Sequence, residues 1–232
     1  MTIDKKEKKD FVALAVHKLK TPISSVKLSL EMLLEGDFGE LQDEQKKIIE
    51  RAYEKNETLI YLINDLLNLA KIGENHSYNL KPIDLESIIY AVIDYEKEKI
   101  QKKAIVVKIE SKDKKLPKIL LDKEEIFLAV QNIFSNAVKY SNVGGDIIVY
   151  FGTSGKNLEL KIQDFGIGIL ESEKEKLFSE FFRGTNAKEV DSMGSGLGLF
   201  IAKDIIERHR GKIWFESKEN KGSTFFVTLP IK

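Results

Sequence analysis

The stretch "QNIFSNAVKY", residues 131–140, combines a helical pattern with polar side chains that a buried helix would avoid. Asn132 and Asn136 are four residues apart and Lys139 follows, so two amides and an ammonium share one helix face. Asparagine is a poor helix former and is costly to bury without a hydrogen-bond partner. This face suits a hydrated Mg²⁺ ion and phosphate oxygens, because Mg²⁺ takes oxygen ligands and keeps waters. An ordinary solvated face is the alternative.

The second motif is "DFGIG", Asp164 to Gly168, which follows the predicted strand "LELKIQ". Its carboxylate is therefore expected at a strand end, where the glycines let the backbone approach a flat ligand. An aspartate there can accept a hydrogen bond from an exocyclic amine such as that of adenine. The letters Asp-Phe-Gly also occur in eukaryote-type protein kinases, but the partner lysine strand and the His-Arg-Asp loop are missing, which excludes that class.

The third motif is "GSGLGLF", residues 194–200, which opens a predicted helix. Alternating glycines before a helix start predict a mobile loop whose amides point at an anion. A dinucleotide fingerprint would need a glycine at Leu199 and a preceding strand, and there is no Walker A pattern. Residues 170–194 are charged and polar around the aromatic run "LFSEFFRG", which indicates a lid over phosphates.

The segments around these motifs predict an α+β layer, a sheet with helices on one face. Helices are expected near residues 84–100, 123–140 and 197–209. Strands are expected at "AIVVKIE", "DIIVYF", "LELKIQD", "KIWFES" and "STFFVTLP".

The N-terminal third has a different, purely helical pattern. A heptad seam predicts a helix over residues 5–35, and "EGDFGE" interrupts it before a second helix over residues 42–72. The second helix carries two neighbouring apolar stripes, so its apolar face is wider than one partner helix can cover. A homodimer that forms a four-helix bundle is the simplest solution, and packing on the rest of the chain is the alternative. The seam comprises Val12, Val16, Leu19, Ile23, Val26, Leu30 and Leu33, and the two stripes comprise Leu41, Ile48, Ala52, Leu59, Leu62, Leu66 and Leu69, and Ile49, Ile60, Ile63, Leu67 and Ala70.

The first helix also contains "HKLKTP", residues 17–22. His17 follows the seam residue Val16, so its imidazole is expected beside the core, exposed and placed like a nucleophile. Pro22 removes the amide that would bond the carbonyl of Lys18, which predicts a loosened or kinked helix one turn later. An ordinary surface histidine is the alternative. The two other histidines, His76 in the linker and His209 near a helix C-terminus that favours a cation, are expected to be structural or surface residues.

Composition restricts the remaining function classes. Lysine plus arginine and aspartate plus glutamate both number 37, so no overall charge attracts nucleic acid or an anionic membrane. There is no cysteine, which excludes disulfides, thiolate metal sites and cysteine nucleophiles. No apolar run reaches the roughly 20 residues of a membrane span. A cytoplasmic location is expected, including the cytoplasmic part of a membrane receptor.

The order of these motifs closely resembles the dimeric sensor histidine kinases of two-component signalling, from about Phe11 to Leu229. The resemblance implies a dimerisation and histidine phosphotransfer hairpin over residues 1–75, which forms a dimeric four-helix bundle. It implies a GHKL (Bergerat) α/β sandwich over residues 80–232. His17 would take the γ-phosphoryl group of ATP and pass it to an aspartate on the receiver domain of a response regulator.

The resemblance also implies individual roles. Asn136 matches the magnesium ligand and Asn132 its companion, and Thr21 matches a position that orients water for dephosphorylating the regulator. Asp164 matches the adenine-reading aspartate. Arg183, after "SEFF", matches a position associated with the nucleotide's phosphates. Lys139 and Tyr140 match nucleotide-contacting positions, and the glycines that shape the pocket and lid are Gly166, Gly168, Gly194, Gly196 and Gly198.

Three positions depart from the family pattern. Lys18 stands where an acidic residue thought to act as the base is usual, and a lysine with a pKa near 10.4 cannot accept a proton at pH 7. This predicts a slower autokinase in which Lys18 attracts phosphate and favours neutral imidazole. Lys20 replaces the usual arginine, and Phe165 the commoner asparagine. Lys18 also favours a second hypothesis, an ATP-binding switch module with weak or no autokinase activity. A third, a GHKL ATPase of the chaperone or topoisomerase kind, leaves the His17 hairpin without a purpose.

Overall fold

A computed structural model describes residues 5–71, 79–113, 116–191 and 194–231, with the side chains of residues 5–17, 61, 66 and 68–71 left out. The chain divides into two compact units, residues 1–76 with 193–195 and residues 77–192 with 196–232. No helix within the described residues combines the length and hydropathy needed to cross a bilayer.

The first unit contains a hairpin of two long helices. Helix α1 spans Lys5–Glu35 and helix α2 spans Asp43–Lys71, as the heptad pattern predicts. Between them, Gly36 and Gly39 have φ angles of +85° and +108°, a left-handed conformation that glycine adopts without steric cost. The predicted interruption at "EGDFGE" is therefore confirmed.

The predicted seam of α1 does not act as one buried row. Ile23 and Leu30 are half-buried, whereas Leu19 and Val26 are 51% and 49% exposed. The reason is geometric, because each of two packed helices covers only one narrow face of the other. The neighbouring row of apolar side chains on each helix therefore remains exposed to solvent. On α2, likewise, Ile63 is buried and Leu59 is 46% exposed. The side chains of Val12, Val16, Leu66, Leu69 and Ala70, which the sequence also assigned to these rows, lie outside the described residues.

A layer of polar side chains interrupts the apolar contact between α1 and α2. Lys27 Nζ lies 2.8 Å from the carboxylate of Glu57 and 3.7 Å from that of Glu31, and the Tyr53 hydroxyl donates to Glu31 at 2.9 Å. The hydrogen bond to Glu57 raises the pKa of Lys27. Beside this layer Asn56 is buried, and its Oδ1 has no partner among the described residues. The hairpin therefore has a modest apolar core of its own.

The second unit is built on a five-stranded sheet with helices on one face. The strands are β2 Val106–Ser111, β4 Asp146–Ser154, β5 Asn157–Asp164, β6 Lys212–Lys218 and β7 Gly222–Pro230; the helices are α3 Leu85–Tyr95, α5 Lys123–Tyr140 and α7 Gly198–Arg208. The strand order is β2, β4, β5, β7, β6, in which β2 and β4 are parallel and the other neighbours are antiparallel. The strands alternate buried and accessible residues, so one face is covered, and α5 packs on β5 between α3 and α7.

Two features of this unit differ from the sequence prediction. The helix predicted over residues 84–100 is divided into α3 and α4, Lys97–Lys102, at Glu96. Glu96 is buried and pairs with Lys99 at 2.8 Å, so its burial depends on tertiary packing that periodicity does not reveal. A small antiparallel sheet of β1, Leu80–Ile83, and β3, Ile119–Asp122, was not predicted.

Asp122 joins several of these elements. Its Oδ1 accepts from the amides of the first turn of α5, and its Oδ2 accepts from the amide of Asn79 at 3.0 Å. Its own amide donates to His209 Nε2 at 3.1 Å. Because Nε2 accepts, Nδ1 carries the proton and donates to the carbonyl of Ile205 at 2.8 Å. His209 is thus a buried structural residue, one of the two roles expected for it from the sequence. His76 lies outside the described residues.

Candidate functional site

Helix α5 carries the polar face formed by Asn132, Asn136 and Lys139. Asp122 caps its first turn, and Ile133 and Phe134 are buried in the core. Asn132 and Asn136 are half-buried on another face, as the four-residue spacing predicts. The Asn132 Nδ2 is buried with no partner among the described residues, a loss of about 1–3 kcal/mol. A ligand oxygen would satisfy this donor.

The start of α7 approaches this amide closely. A Cβ atom added at Gly198 would lie 3.3 Å from the Asn132 Oδ1. A side chain at Gly198 would therefore press on the amide, which explains a glycine there. Leu197, directly before it, is fully buried, so the end of the glycine motif is anchored in the core. Gly194 is half-buried ahead of this anchor.

Asp164 ends strand β5 with its side chain 5% exposed. Its Oδ1 accepts from the amides of Gly166 at 3.0 Å and Ser223 at 3.3 Å. Burial raises the pKa of Asp164 to about 6, although these hydrogen bonds act in the opposite direction. At pH 7 the carboxylate is mostly ionised and can accept from an exocyclic amine. Ser223 could not be predicted from the sequence, because nothing in its strand pattern sets it apart.

The loop Asp164–Gly168 packs against the end of α5. A Cβ atom at Gly166 would lie 1.9 Å from the Tyr140 carbonyl oxygen, so only glycine fits without a shift. The amide of Ile167 donates to that same carbonyl at 3.3 Å. Gly168 has a φ angle of +65°, and a Cβ there would lie 2.1 Å from a carbonyl of Lys218. The Asn face and the "DFGIG" motif thus meet at Tyr140.

The segment predicted as a lid is held by specific contacts. The Glu173 carboxylate accepts two hydrogen bonds from Thr185, one from its amide at 3.0 Å and one from its hydroxyl at 2.7 Å. The Asn186 Nδ2 donates to the Gly168 carbonyl at 2.9 Å. The segment contains a 3₁₀ helix, Glu171–Lys176, and the short helix α6, Thr185–Val190.

The aromatic run of this segment is also anchored. Phe178 packs edge-on against Phe215 of the sheet, with ring centroids 5.8 Å apart. Gly196, with a φ angle of +76°, approaches the backbone at Phe181, where an added Cβ would lie at 2.7 Å. The last glycine motif is therefore packed on the aromatic run.

Lys139 and Arg183 meet at Asp191, a residue that was not predicted from the sequence. Lys139 Nζ lies 2.7 Å from the Asp191 carboxylate. Arg183 Nη2 lies 3.8 Å from the same carboxylate and donates to the Asp191 carbonyl. Two cations expected to contact nucleotide are thus gathered around one internal anion. A single aspartate in a charged segment has no periodic signature that marks it.

The candidate phosphotransfer residues lie on α1. His17 is within the helix, but its side chain lies outside the described residues. Lys18 and Thr21 are exposed. Helix α1 runs through Pro22 to Glu35, so the proline does not end it, although it cannot donate to the Lys18 carbonyl.

The described residues contain no group of three or more His, Cys, Asp or Glu side chains that could hold a metal ion. A divalent cation here would depend on amide oxygens and on oxygens of its own ligand. The half-buried Asn136 amide fits a hard, oxygen-seeking cation such as Mg²⁺.

Comparison with known proteins agrees with this geometry. Residues 7–75 match the family model of the His Kinase A (phospho-acceptor) domain, and residues 121–232 match that of the histidine kinase-, DNA gyrase B- and HSP90-like ATPase. Sensor histidine kinase WalK of Bacillus subtilis (strain 168) is 34% identical over 230 residues, which cover 97% of this chain and 37% of the relative. Sensor protein kinase WalK of Staphylococcus aureus is 32% identical over 232 residues, covering 98% of this chain and 54% of the relative. The chain thus spans about a third to a half of these curated relatives.

Solved structures give the same result. The catalytic domain of histidine kinase ThkA is 31% identical with a TM-score of 0.58, covering 66% of this chain and 96% of that one. Full-length ShkA in complex with AMPPNP shares the fold, with a TM-score of 0.74 at 23% identity, covering 95% of this chain and 45% of that one. The chain belongs to the sensor histidine kinases of two-component signalling.

Proposed function

We propose that this chain is an ATP-dependent protein-histidine kinase that phosphorylates His17 and passes the phosphoryl group to an aspartate of a response regulator. The observation that carries the proposal is the junction at Tyr140. There the Asp164–Gly168 loop packs on the α5 turn that bears Lys139, so an acceptor for adenine and a cation for phosphate lie on adjoining segments.

Each pocket residue has a defined role in this proposal. The Asp164 carboxylate accepts from the exocyclic amine of adenine, and Tyr140 lines the junction beside it. Lys139 and Arg183 exchange Asp191 for phosphate oxygens. Gly166, Gly168, Gly194, Gly196 and Gly198 keep side chains out of the pocket and the lid. This set binds a nucleotide at both its base and its phosphates.

The amide side chains of α5 serve the metal. Asn136 would ligate Mg²⁺, and Asn132 would donate its unpartnered Nδ2 hydrogens to a phosphate or water oxygen. When held there, the ion would supply positive charge to offset the negative charge that develops on the phosphates. The protein's own part is to orient the triphosphate and keep it in place.

The reaction is a phosphoryl transfer to nitrogen. A nitrogen of neutral His17 attacks the γ-phosphorus, the bond to the β,γ-bridging oxygen breaks, and ADP leaves. A carboxylate oxygen of the regulator's receiver domain then attacks the same phosphorus and releases the histidine. Thr21, exposed one turn after His17, would orient water for removing phosphate from the regulator.

The hairpin supports a homodimer. Leu19, Val26, Ile48 and Leu59 are large apolar side chains left exposed on α1 and α2. A second copy would cover them in a four-helix bundle. We assign the hairpin domain to residues 1–75 and the catalytic domain to residues 80–232.

Incubation with γ-labelled ATP and Mg²⁺, with His17→Ala as the control, tests the proposal. We expect an acid-labile, alkali-stable label on the wild-type chain and none on the variant. Nucleotide binding without label would replace the kinase by a switch module. Steady phosphate release that the variant does not change would instead indicate an ATPase.

Lys18 favours the switch module as a second candidate, because it is exposed beside His17 at the position where the family pattern has an acidic residue. We expect Lys18→Glu to raise the single-turnover labelling rate by at least about tenfold, since a positioned base contributes roughly 10²–10⁴ in rate. Rapid-quench labelling at saturating ATP measures this rate. An equal or lower rate in the variant would show that Lys18 does not limit the reaction.

A further inference from the structure

Lys103 lies outside every sequence motif, in the connection between α4 and β2, and its ammonium is bound three times. Its Nζ donates to the carbonyl oxygens of Val138 at 3.1 Å, of Ser141 at 3.2 Å and of Lys139. An ammonium has three N–H donors, so the side chain has a full set of acceptors. All three acceptors belong to the carboxyl-terminal end of α5.

That end of α5 is where helix carbonyls lose their intrahelical partners. The aligned peptide dipoles place partial negative charge there, which favours a cation. The Tyr140 carbonyl is bound from another direction, by the Ile167 amide at 3.3 Å. Lys103 and the Asp164–Gly168 loop therefore hold the same helical turn from two directions.

The backbone around Lys103 is itself fixed. Its carbonyl accepts from the Gly144 amide at 2.8 Å, and the Ile105 amide donates to the Ile100 carbonyl at 3.0 Å. The Lys103 side chain is half-buried. A long side chain tied at its base can hold its far end in one place.

Lys103 also adds charge near Lys139. Burial lowers the pKa of Lys103, and the positive charge of Lys139 lowers it further. The two ammonium groups are thus close enough to repel, and both contribute positive potential at this end of α5.

We propose that Lys103 is a positioning residue for nucleotide binding, which holds the last turn of α5 so that Lys139 meets the phosphates. This inference rests on the proposed function and deepens it. Lys103 acts through the carbonyls of α5 and does not touch the nucleotide.

The test compares three variants of the full chain. Lys103→Met keeps the stem and removes the donors, Lys103→Arg keeps charge and donors, and Lys102→Met removes an exposed lysine from the adjacent position. Calorimetry measures the affinity of each for ATP and for adenosine. We expect Lys103→Met to bind ATP about tenfold more weakly while adenosine changes by less than about threefold, because only the phosphate contacts are misplaced. Lys103→Arg should restore ATP binding, and Lys102→Met should match wild type.

Amide hydrogen exchange provides a second measurement that does not need nucleotide. In Lys103→Met we expect faster exchange at Ile167, whose acceptor is the Tyr140 carbonyl, and unchanged exchange at Ile133 in the buried part of α5. Unchanged exchange at Ile133 would show that the domain is folded.

Wild-type affinity for ATP in Lys103→Met would overturn the positioning role and leave Lys103 as a helix cap. Equal loss of ATP and adenosine binding would overturn it as well, because the effect would then be general. If the wild-type chain itself fails to bind ATP, the proposed function fails and the positioning role falls with it. If the wild-type chain binds ATP and Lys103→Met binds it equally well, only the positioning role of Lys103 is wrong.

Discussion

The hairpin and the sandwich of this chain bury their apolar residues to very different extents. In the sandwich, Ile88, Ile126, Ile133 and Ile147 are completely buried. Among the described side chains of the hairpin, Ile63 is the only buried apolar residue, and Leu59 nearby is 46% exposed. A sheet covered by three helices can complete its own core, whereas two helices cannot cover both rows of a heptad pattern. The sandwich therefore completes an apolar core within one chain, whereas large apolar side chains remain exposed on the hairpin.

The largest expected effect breaks the partner surface of the hairpin. We predict that Val26→Asp combined with Leu59→Asp raises the dissociation constant of the dimer by at least about 100-fold, because each new charge would be buried in the bundle. Sedimentation measures the assembly state. ATP affinity should stay within about twofold of wild type, since both substituted residues belong to the hairpin unit and not to the sandwich.

Lys47→Asp is the control for this pair, because it places the same side chain at an exposed position of α2 away from both apolar stripes. It should remain dimeric. If the Val26→Asp, Leu59→Asp variant is still dimeric, the exposed apolar rows of α1 and α2 are not the dimer interface. The lower burial of apolar residues in the hairpin would then have another cause.

The next largest effect concerns the buried Asp164 carboxyl group in the sandwich. The pKa of Asp164 is raised from 3.8 to about 6, so its contribution to stability is complete below about pH 4 and is lost as the pH rises through 6. We predict that Asp164→Asn removes this dependence and is about 1–3 kcal/mol more stable than wild type at pH 7. Denaturant unfolding from pH 4 to pH 8 measures the difference.

The affinity for adenosine should increase as the pH rises, whereas the stability decreases, because the ionised Asp164 carboxylate is the better hydrogen-bond acceptor. Wild-type affinity should fall by up to about tenfold per pH unit below pH 6. Adenosine is the ligand of choice, since it has no phosphate that titrates in this range. Asp94→Asn, a change at an exposed carboxylate of α3, should alter neither profile. Affinity that is constant from pH 5 to pH 8 would contradict the adenine-reading role.

The smallest effect concerns Asp191. We predict that Asp191→Asn binds ATP about two- to fivefold more tightly, because Lys139 and Arg183 lose an internal competitor and partly exposed ion pairs contribute roughly 0.2–1 kcal/mol. Titration with a fluorescent ATP analogue at two salt concentrations measures the change. Asp191→Glu, which keeps the charge, should stay near wild type. Weaker binding by Asp191→Asn would mean that this carboxylate helps to hold the nucleotide.

The same contrast explains what could be predicted from the sequence. Long periodic segments were predictable, since α1, α2 and α5 follow apolar spacing and β4 to β7 follow alternation. The break at Glu96 and the pairing of β1 with β3 depend on tertiary contacts, and four-residue strands are too short to show a period. At the site, spacing predicted the shared face of Asn132 and Asn136. The grouping of Lys139 and Arg183 around Asp191 required coordinates, because ion pairs between distant segments have no spacing rule.

The hydrogen bonds around Asp122 affect how the sandwich unfolds. Asp122 accepts hydrogen bonds from the Asn79 amide, just before β1, and from the first turn of α5. Its own amide donates to His209, which follows the end of α7. If any one of these elements opens, the hydrogen-bonding groups that it shared with Asp122 lose their partners in the elements that remain. The sandwich should therefore melt in a single cooperative transition, with no stage at which the small sheet has opened and the helices remain docked.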